Sequence, residues 1–368
     1  MGRLQRLYDE HGQSPWLDNL KRGWITSGEL QRWTERGVRG ITSNPTIFAK
    51  AIEGAADYDD QFRELVKKRH SVEDSYWELV KQDIEDALAI LRPLSDGSKG
   101  GDGFVSVEVA PQLARDTDGT IAAARQLWEQ IDEPNLFVKI PGTAEGLPAI
   151  RQCLSEGINI NVTLLFGLER YGEVIDAFMQ GLEQLDASGG DVSQIASVAS
   201  FFVSRVDTEV DRRLETIGTD EALALRGKAA VANAQLAYEL FSQRCDTDRW
   251  RQLEAQGARV QRPLWASTST KNPDYPDTLY VDNLIGPDTV NTMPDTTLEQ
   301  FEEHGRLERT VDADLPGAHA VIDQLTAVGV DMRDVTRTLE EEGVTSFSKS
   351  FDELITSLET KADALRNA

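Results

Sequence analysis

Short apolar stretches rich in β-branched and aromatic residues alternate along the chain with longer stretches in which apolar residues recur every three or four positions. The first pattern is typical of buried strands and the second of amphipathic helices. Eight strands are predicted in this way, at 14–20, 37–44, 103–111, 135–142, 160–166, 196–204, 262–268 and 288–294. The helices predicted between them lie at 58–69, 72–92, 120–131, 145–156, 168–185 and 220–244.

Strands that alternate with helices form parallel βαβ units, and eight such units predict an α/β fold, a closed (β/α)8 TIM barrel. The alternative is an open, doubly wound sheet, which would normally carry GxGxxG after its first strand. This chain has no such sequence. We therefore expect one barrel domain over 1–368, with two or three additional C-terminal helices in 317–368 that pack on it. Whether the last helix crosses the barrel mouth stays open.

The glycine-rich segment DGSKGGDG at 96–103 resembles a phosphate-binding loop only in composition. It lacks the GK[ST] ending of a P-loop and precedes a strand rather than a helix. We interpret it as a surface loop.

Polar residues interrupt several of the predicted strands, although the strands of a parallel barrel are buried on both faces. Side chains alternate across a strand, so Lys139 shares a face with Phe137, and Glu108 shares one with Ser106. The other polar interruptions are Asp18, Asn44, Asn161, Thr163, Ser200, Ser267 and Asn291. We place all of them toward the C-terminal halves of their strands, the end at which barrel enzymes carry the active site.

The chemistry of this set depends on Lys139. Burial disfavours the charged form of a lysine, which leaves the free amine available to attack a carbonyl. With Glu108 and Asp18 available for proton transfer, the pattern predicts a Schiff-base aldolase. The alternative is a structural salt bridge between the lysine and one of the two carboxylates.

The composition limits the partners. The formal net charge of −25 argues against binding to nucleic acid or anionic membranes, which require basic patches. The sequence has no apolar N-terminal segment or long apolar run, so we expect a cytoplasmic protein. Cys153 and Cys245 are expected to be free thiols. The four histidines lie in polar stretches away from the strand residues, and we expect no metal and no cofactor.

Several segments resemble the transaldolase family, and they follow one another in order over nearly the whole chain. They are GITSNPTIF (40–48), LFVKIPGTAEG (136–146), INVTLLF (160–166), SFFVSRVD (200–207) and SFSKSFDEL (346–354). WASTSTKNP (265–273) and DTVNTMP (288–294) are similar to the longer bacterial branch. The resemblance implies transfer of a dihydroxyacetone unit from sedoheptulose 7-phosphate or fructose 6-phosphate to glyceraldehyde 3-phosphate or erythrose 4-phosphate. That reaction belongs to the non-oxidative pentose phosphate pathway.

The resemblance also implies catalytic roles for four residues. Lys139 resembles the lysine that attacks the ketose C2 carbonyl. Glu108 and Thr163 resemble the pair that holds a proton-shuttling water, and Asp18 resembles the acid/base at the C4 hydroxyl.

Substrate-binding roles follow in the same way. Asn44 and Asn161 resemble the amides that hold the three-carbon enamine, and Arg205 resembles the phosphate-binding arginine. Its expected partners, Ser267 and Lys271, lie in a segment that departs from the short-form pattern. Ser200 and Phe202 are expected to complete the substrate site.

Three alternatives remain at this point. A simple aldolase of the same superfamily would release dihydroxyacetone to water; such aldolases resemble this chain but tend to carry Gln in place of Glu108 and Tyr in place of Phe202. A noncatalytic barrel that binds sugar phosphates would need no nucleophile. Arg205 itself would form a surface salt bridge if it had no substrate role. The sequence is compatible with a monomer or a homodimer.

Overall fold

Eight parallel strands close into a barrel in the computed structural model, which describes residues 1–366. Each strand is hydrogen-bonded to the next along the chain, and the last is bonded to the first. The predicted (β/α)8 fold is confirmed, although the strands are shorter than the predicted stretches. They are β1 Gln13–Leu17, β2 Gly40–Ile41, β3 Phe104–Glu108, β4 Leu136–Pro141, β5 Ile160–Leu165, β6 Ser197–Phe202, β7 Arg262–Ala266 and β8 Thr289–Met293.

Helices connect the strands and surround the barrel. They are α1 Arg3–His11, α2 Arg22–Thr26, α3 Glu29–Arg36, α4 Pro45–Gly54, α5 Asp59–Lys67, α6 Val72–Gly97, α7 Thr117–Ile131, α8 Gly146–Ser155, α9 Leu168–Ala187, α10 Ser204–Ile217, α11 Asp220–Leu223, α12 Ala229–Cys245, α13 Asp248–Ala255, α14 Leu279–Asp282, α15 Asp295–His304, α16 Leu315–Ala327 and α17 Met332–Arg366. Short 3-10 turns lie at Ala56–Tyr58, Pro111–Arg115 and Val192–Gln194. Cys153 and Cys245 are free thiols in α8 and α12, as predicted.

The helix predicted at 220–244 is wrong as a single element, because the chain breaks between α11 and α12. Gly227 lies in the break with φ +71°, a left-handed conformation that glycine adopts without strain. A Cβ at Gly227 would lie 2.8 Å from the ring of Tyr275. The absence of a side chain at Gly227 therefore lets the Tyr275 ring pack directly against the backbone.

The C-terminal helices contact the barrel as predicted, but the last two predicted pieces form one continuous helix, α17. Gly343 does not interrupt it, since the missing side chain lets the helix approach Leu164 of β5; a Cβ there would lie 3.0 Å from Leu164 Cδ2. Helix α17 contacts α4, α6 and α10 and brings Phe347 to the barrel mouth. Residues 367–368 of the predicted helix lie outside the described residues.

Aromatic rings fill the lower half of the barrel. Trp16, Phe104 and Phe137 are at most 2% exposed, and their ring centroids lie 4.3–6.4 Å apart. Gly40 makes room for the indole, because a Cβ there would lie 2.3 Å from Trp16 Cε2. The floor of the barrel is therefore closed, and the polar strand residues lie above it.

The segment 96–103 is not a plain surface loop. It turns inward through Gly103, with φ +81°, and buries the carboxylate of Asp102 beneath the aromatic floor. That carboxylate accepts hydrogen bonds from Ser14 Oγ (2.7 Å), Trp16 Nε1 (3.2 Å), Arg39 Nε (2.8 Å) and Arg262 Nη2 (3.1 Å). Sequence composition could not show this, because the partners come from two strands, β1 and β7, and from the residue that precedes β2.

Among residues 1–366, none of the helices combines the length and the apolar character needed to cross a membrane.

Candidate active site

A cavity of about 500 Å³ opens at the C-terminal ends of the strands. Its walls include most of the residues predicted to form the site, namely Asp18, Asn44, Lys139, Ser200, Phe202, Arg205, Ser267 and Lys271. The remaining three, Glu108, Asn161 and Thr163, are buried in the barrel below it. The structure therefore brings the predicted residues to one end of the barrel.

A wider cavity, of about 900 Å³, lies between the starts of α9 and α17. Its charged side chains pair with one another, for example Arg170 with Glu173 and Arg337 with Asp334. Because this wider cavity contains no buried nucleophile and most of its charged side chains form ion pairs, we take the barrel mouth as the candidate site.

Lys139 lies in the middle of the set. The strand register pairs it with Glu108 of β3 on one side and with Asn161 of β5 on the other. Its Nζ lies 3.1 Å from Glu108 Oε2 and donates a 3.4 Å hydrogen bond to the carbonyl oxygen of Ser43. Lys139 is 4% exposed, and that small exposed part faces the cavity.

Glu108 is paired with this lysine by charge but not by a well-aligned hydrogen bond. Both of its carboxylate oxygens are buried without a hydrogen-bond partner, and so is Thr163 Oγ1. Burial raises the pKa of Glu108, and the Lys139 charge opposes that increase. Three buried oxygens without a hydrogen-bond partner, one of them in an ion pair with Lys139, are unusual in a native core and suit a polar group that bonds to them.

Asp18 lies directly after β1 rather than within it. Its backbone N–H donates to Met293 O of β8, which fixes the chain at the mouth. Thr42 Oγ1 donates a 2.7 Å hydrogen bond to its carboxylate and lies 2.6 Å from Thr292 Oγ1. Burial raises the pKa of Asp18, while the Lys139 charge lowers it. The carboxylate is thus held in one orientation next to the lysine.

Asn161 corrects the expectation that every site residue lies in the C-terminal half of its strand, since it is the second residue of β5. Neighbouring strands of a barrel are staggered, so the start of β5 lies level with Lys139 near the end of β4. The Asn161 amide donates to Ser106 Oγ (3.0 Å) and accepts from Ser200 Oγ (2.7 Å). This chain of bonds fixes the Ser200 hydroxyl at the cavity floor.

Asn44 has a second task in addition to lining the cavity. Its side-chain oxygen accepts a 3.0 Å hydrogen bond from Ile47 N and caps the start of α4, with Pro45 as the first helical residue. The cap uses the oxygen of the side-chain amide and leaves its N–H₂ group available at the cavity wall.

The outer wall of the cavity is cationic. Arg205 is the second residue of α10, and its guanidinium lies over the rings of Phe202 and Phe347, 5.1 and 5.7 Å from their centroids. Among residues 1–366 it has neither an ion pair nor a hydrogen bond, so the alternative of a surface salt bridge is wrong. Burial lowers its pKa. A half-buried arginine without a carboxylate partner, at a helix N-terminus, favours an anionic ligand.

Ser267 and Lys271 lie on the loop that follows β7. Ser267 has φ +56° and is held by Ser204, whose backbone N–H donates to its carbonyl oxygen at 3.0 Å and whose hydroxyl lies 2.9 Å from its own. Lys271 is exposed and donates to Ser269 Oγ at 2.6 Å. Burial of its amine and the nearby Arg205 charge lower the pKa of Lys271. Both residues therefore lie on the cationic wall.

Sequence reasoning missed several residues of the cavity, namely Thr42, Lys50, Thr292 and Phe347. Thr42 lies in the same motif as Asn44, and Phe347 lies within SFSKSFDEL. Both residues could therefore have been identified from the family motifs. Lys50 lies on α4 and carried none, because an exposed helical lysine is usually only solvated.

Within residues 1–366, no group of three or more His, Cys, Asp and Glu side chains is arranged to hold a metal ion. His304 and His319 are exposed and lie 2.9 and 2.8 Å from Asp277 and Glu239.

Comparison with known proteins gives a consistent result. A family model described as Transaldolase/Fructose-6-phosphate aldolase matches residues 15–358. A transaldolase of Parafrankia sp. (strain EAN1pec) is 54% identical over 94% of this chain and 94% of its own length. Transaldolases of Thermobifida fusca and Mycolicibacterium smegmatis are 52% and 49% identical, each over 96% of both chains.

Proposed function

Because this chain belongs to the transaldolase/fructose-6-phosphate aldolase family, we propose that it is a transaldolase that works through a Schiff base on Lys139. It transfers a dihydroxyacetone unit from sedoheptulose 7-phosphate or fructose 6-phosphate to glyceraldehyde 3-phosphate or erythrose 4-phosphate. A cytoplasmic location, as monomer or homodimer, belongs to the same proposal, since phosphorylated sugars are intermediates of central metabolism. The observation that supports it most directly is the buried Lys139 between Glu108 and Asn161, at the floor of a cavity with a cationic wall.

The reaction starts with the lysine. The free Lys139 amine attacks C2 of the ketose and forms a carbinolamine, and the C2 oxygen then leaves as water to give a protonated imine. Glu108 and Thr163 assist these proton transfers through a water that they hold. The three buried oxygens of Glu108 and Thr163 that lack a hydrogen-bond partner support this role.

Cleavage follows from the same imine. The Asp18 carboxylate takes the proton from the C4 hydroxyl, the C3–C4 bond breaks, and its electron pair moves into the imine to give an enamine. The aldose leaves as an aldehyde. The hydrogen bond from Thr42 fixes the Asp18 orientation that this step needs. Asn44 and Asn161, with Ser200, hold the hydroxyl groups of the three-carbon unit.

Transfer is the reverse of cleavage with a different aldose. The enamine carbon attacks the new aldehyde, and the protonated Asp18 returns its proton to the oxygen formed. Arg205, Ser267 and Lys271 bind the phosphate of each sugar on the outer wall of the cavity. This places the reacting end of the sugar next to Lys139.

Two alternatives remain testable beside transfer. A simple aldolase would share the lysine but release dihydroxyacetone, and Glu108 and Phe202 favour transfer over it. A noncatalytic barrel would bind sugar phosphates without reacting with them; the lysine and both carboxylates argue against it, because binding alone needs no nucleophile.

Borohydride trapping with fructose 6-phosphate, followed by intact mass and peptide mapping, tests the proposal. We expect irreversible inactivation and a three-carbon adduct on the peptide that carries Lys139. The Lys67→Met variant, which removes an exposed lysine of α5, should give the same adduct, whereas Lys139→Met should give none.

Other outcomes have distinct meanings. A six-carbon adduct would indicate imine formation without cleavage and would contradict the role of Asp18. Absence of any adduct, with substrate shown to bind, would favour the noncatalytic barrel. Free dihydroxyacetone in place of transfer to erythrose 4-phosphate would favour the simple aldolase.

A further inference from the structure

Two aspartates on one face of α10 connect this helix to the loop that carries Lys271. Asp207 and Asp211 are four residues apart, so their side chains project from the same side of the helix. Both are buried, at 2% and 9% exposed, and neither forms an ion pair among residues 1–366. Neither has a place in the proposed chemistry, although α10 also carries Arg205 near its start.

The two carboxylates bind their partners in parallel ways. Asp211 Oδ1 accepts from Gly227 N at 2.9 Å, and Asp211 Oδ2 accepts from the Tyr275 hydroxyl at 2.6 Å. Asp207 Oδ1 accepts from Ala230 N at 2.8 Å, and Asp207 Oδ2 accepts from the Tyr280 hydroxyl at 3.0 Å. Asp207 thus joins the start of α12, and Asp211 the residue Gly227 just before it, to one tyrosine each of the segment after β7.

Tyr275 is fitted to this position by more than its hydroxyl. Its ring lies on Gly227, where any Cβ would approach its Cζ to 2.8 Å. Gly227 also donates to the same carboxylate, so the glycine supplies both the space and a hydrogen bond. Burial raises the pKa values of Asp207, to about 6, and of Asp211, and the tyrosine hydrogen bonds oppose that increase.

The loop transmits the position of Tyr275 to Lys271, because the three residues between them form a closed turn. Tyr275 N donates to Asn272 O at 3.1 Å, and Asp274 N donates to Asn272 Oδ1 at 3.0 Å. Thr270 Oγ1 donates across the loop to Pro276 O at 2.8 Å. A shift of the tyrosine would therefore move the lysine.

We propose that Tyr275 and Asp211 are positioning residues that set Lys271 of the loop against Arg205 of α10 and so determine affinity for the phosphate of the substrate. The inference rests on the proposed function, in which these two cations bind that phosphate. Helix α10 carries Arg205 near its start and Asp211, which binds Tyr275 of the loop, about two turns further along. Both cations are therefore positioned relative to the same helix. The Tyr280–Asp207 pair anchors the far end of the loop in the same way.

The test uses Tyr275→Phe, which removes only the hydroxyl and keeps the ring on Gly227. With fructose 6-phosphate saturating, KM is measured for glyceraldehyde 3-phosphate and for unphosphorylated D-glyceraldehyde, and the affinity for inorganic phosphate is measured by calorimetry. We expect KM for the phosphorylated acceptor and the Kd of phosphate to rise about tenfold, the range of one hydrogen bond to a charged group. The kcat and the KM for D-glyceraldehyde should stay within about twofold of the wild-type values, since Lys139 and the residues around it are unchanged.

Tyr238→Phe is the matched control. It also removes one partly buried tyrosine hydroxyl, which donates to Pro287 O at 3.2 Å near the start of β8, away from the loop. It should change neither KM nor phosphate affinity. Asp211→Asn is the second variant, and it should reproduce the Tyr275→Phe effect because one amide oxygen replaces two carboxylate oxygens.

Three outcomes would overturn the inference. Unchanged phosphate affinity in both variants would show that the anchor does not position Lys271. An equal rise in KM for both acceptors would show that the loop shapes the whole pocket rather than the phosphate site. A wild-type protein that prefers neither acceptor and does not bind phosphate would overturn the phosphate site itself; normal borohydride trapping in that protein would leave the Schiff-base proposal standing.

Discussion

The two ends of the barrel treat buried charge differently. At the floor, Asp102 accepts four hydrogen bonds, two of them from Arg39 and Arg262. At the mouth, neither oxygen of Glu108 has a well-aligned partner, and Arg205 has no ion pair among residues 1–366. A buried polar group without a hydrogen-bond partner lowers the free energy of unfolding. The unpartnered groups at the mouth therefore do not stabilise the fold. The difference separates residues that hold the barrel together from residues that are available to a ligand.

The largest expected effect comes from removing the lysine at the mouth. Lys139→Met should lower kcat by at least about 10⁴-fold, because the variant lacks the nucleophile that the mechanism requires. The fold should persist, since Glu108 beside it can become neutral: burial already raises its pKa. Circular dichroism and transfer assays would check both parts. Turnover near the wild-type rate would contradict the Schiff-base mechanism.

The next effect belongs to the floor. Asp102→Asn should lower the free energy of unfolding by about 3–5 kcal/mol, because it leaves two arginines without their buried carboxylate. Urea denaturation would measure the loss, and kcat of the folded variant should stay close to wild type. Asp18→Asn is the counterpart at the mouth, with the opposite expected result: a large loss of kcat and little change in stability. If Asp102→Asn lowered kcat while stability was unchanged, the distinction between the two ends would fail.

The smallest effect compares two arginines. Arg205→Ala should raise KM for phosphorylated sugars about 10- to 100-fold, the range expected for lost hydrogen bonds to a charged group, with a much smaller change in kcat. Arg262→Ala should leave KM unchanged and lower stability, because Arg262 is bound to Asp102 and Ser14 instead of facing the cavity. Steady-state kinetics on both variants would decide. An unchanged KM in Arg205→Ala would remove this residue from the phosphate site.

The sequence predicted the barrel and the location of most site residues because both depend on local patterns. A polar residue in an apolar strand is visible without coordinates, as Lys139 and Glu108 illustrate. The position of Asn161 along its strand was not visible in that way, since the stagger between β4 and β5 is a property of the closed sheet.

Features that depend on distant partners escaped the sequence. Asp102 was interpreted as part of a surface loop, because its arginine partners lie 63 and 160 residues away along the chain. No sequence pattern indicated a role for Asp207 and Asp211, since nothing local shows that two tyrosines far along the chain bind them. Continuity of α17 through Gly343 depended on the close approach to Leu164, which no helical periodicity encodes.

The aromatic floor has a consequence for the order of events during turnover. Trp16, Phe104 and Phe137 leave the barrel no lower exit, so substrates enter and products leave through the same opening. In the proposed reaction, the first aldose must diffuse out before the second can reach the enamine on Lys139. Because the covalent intermediate remains on the enzyme after the first aldose leaves and before the second binds, we expect ping-pong kinetics. The three rings thereby help to set the order in which the two aldoses leave and bind, although they do not line the cavity.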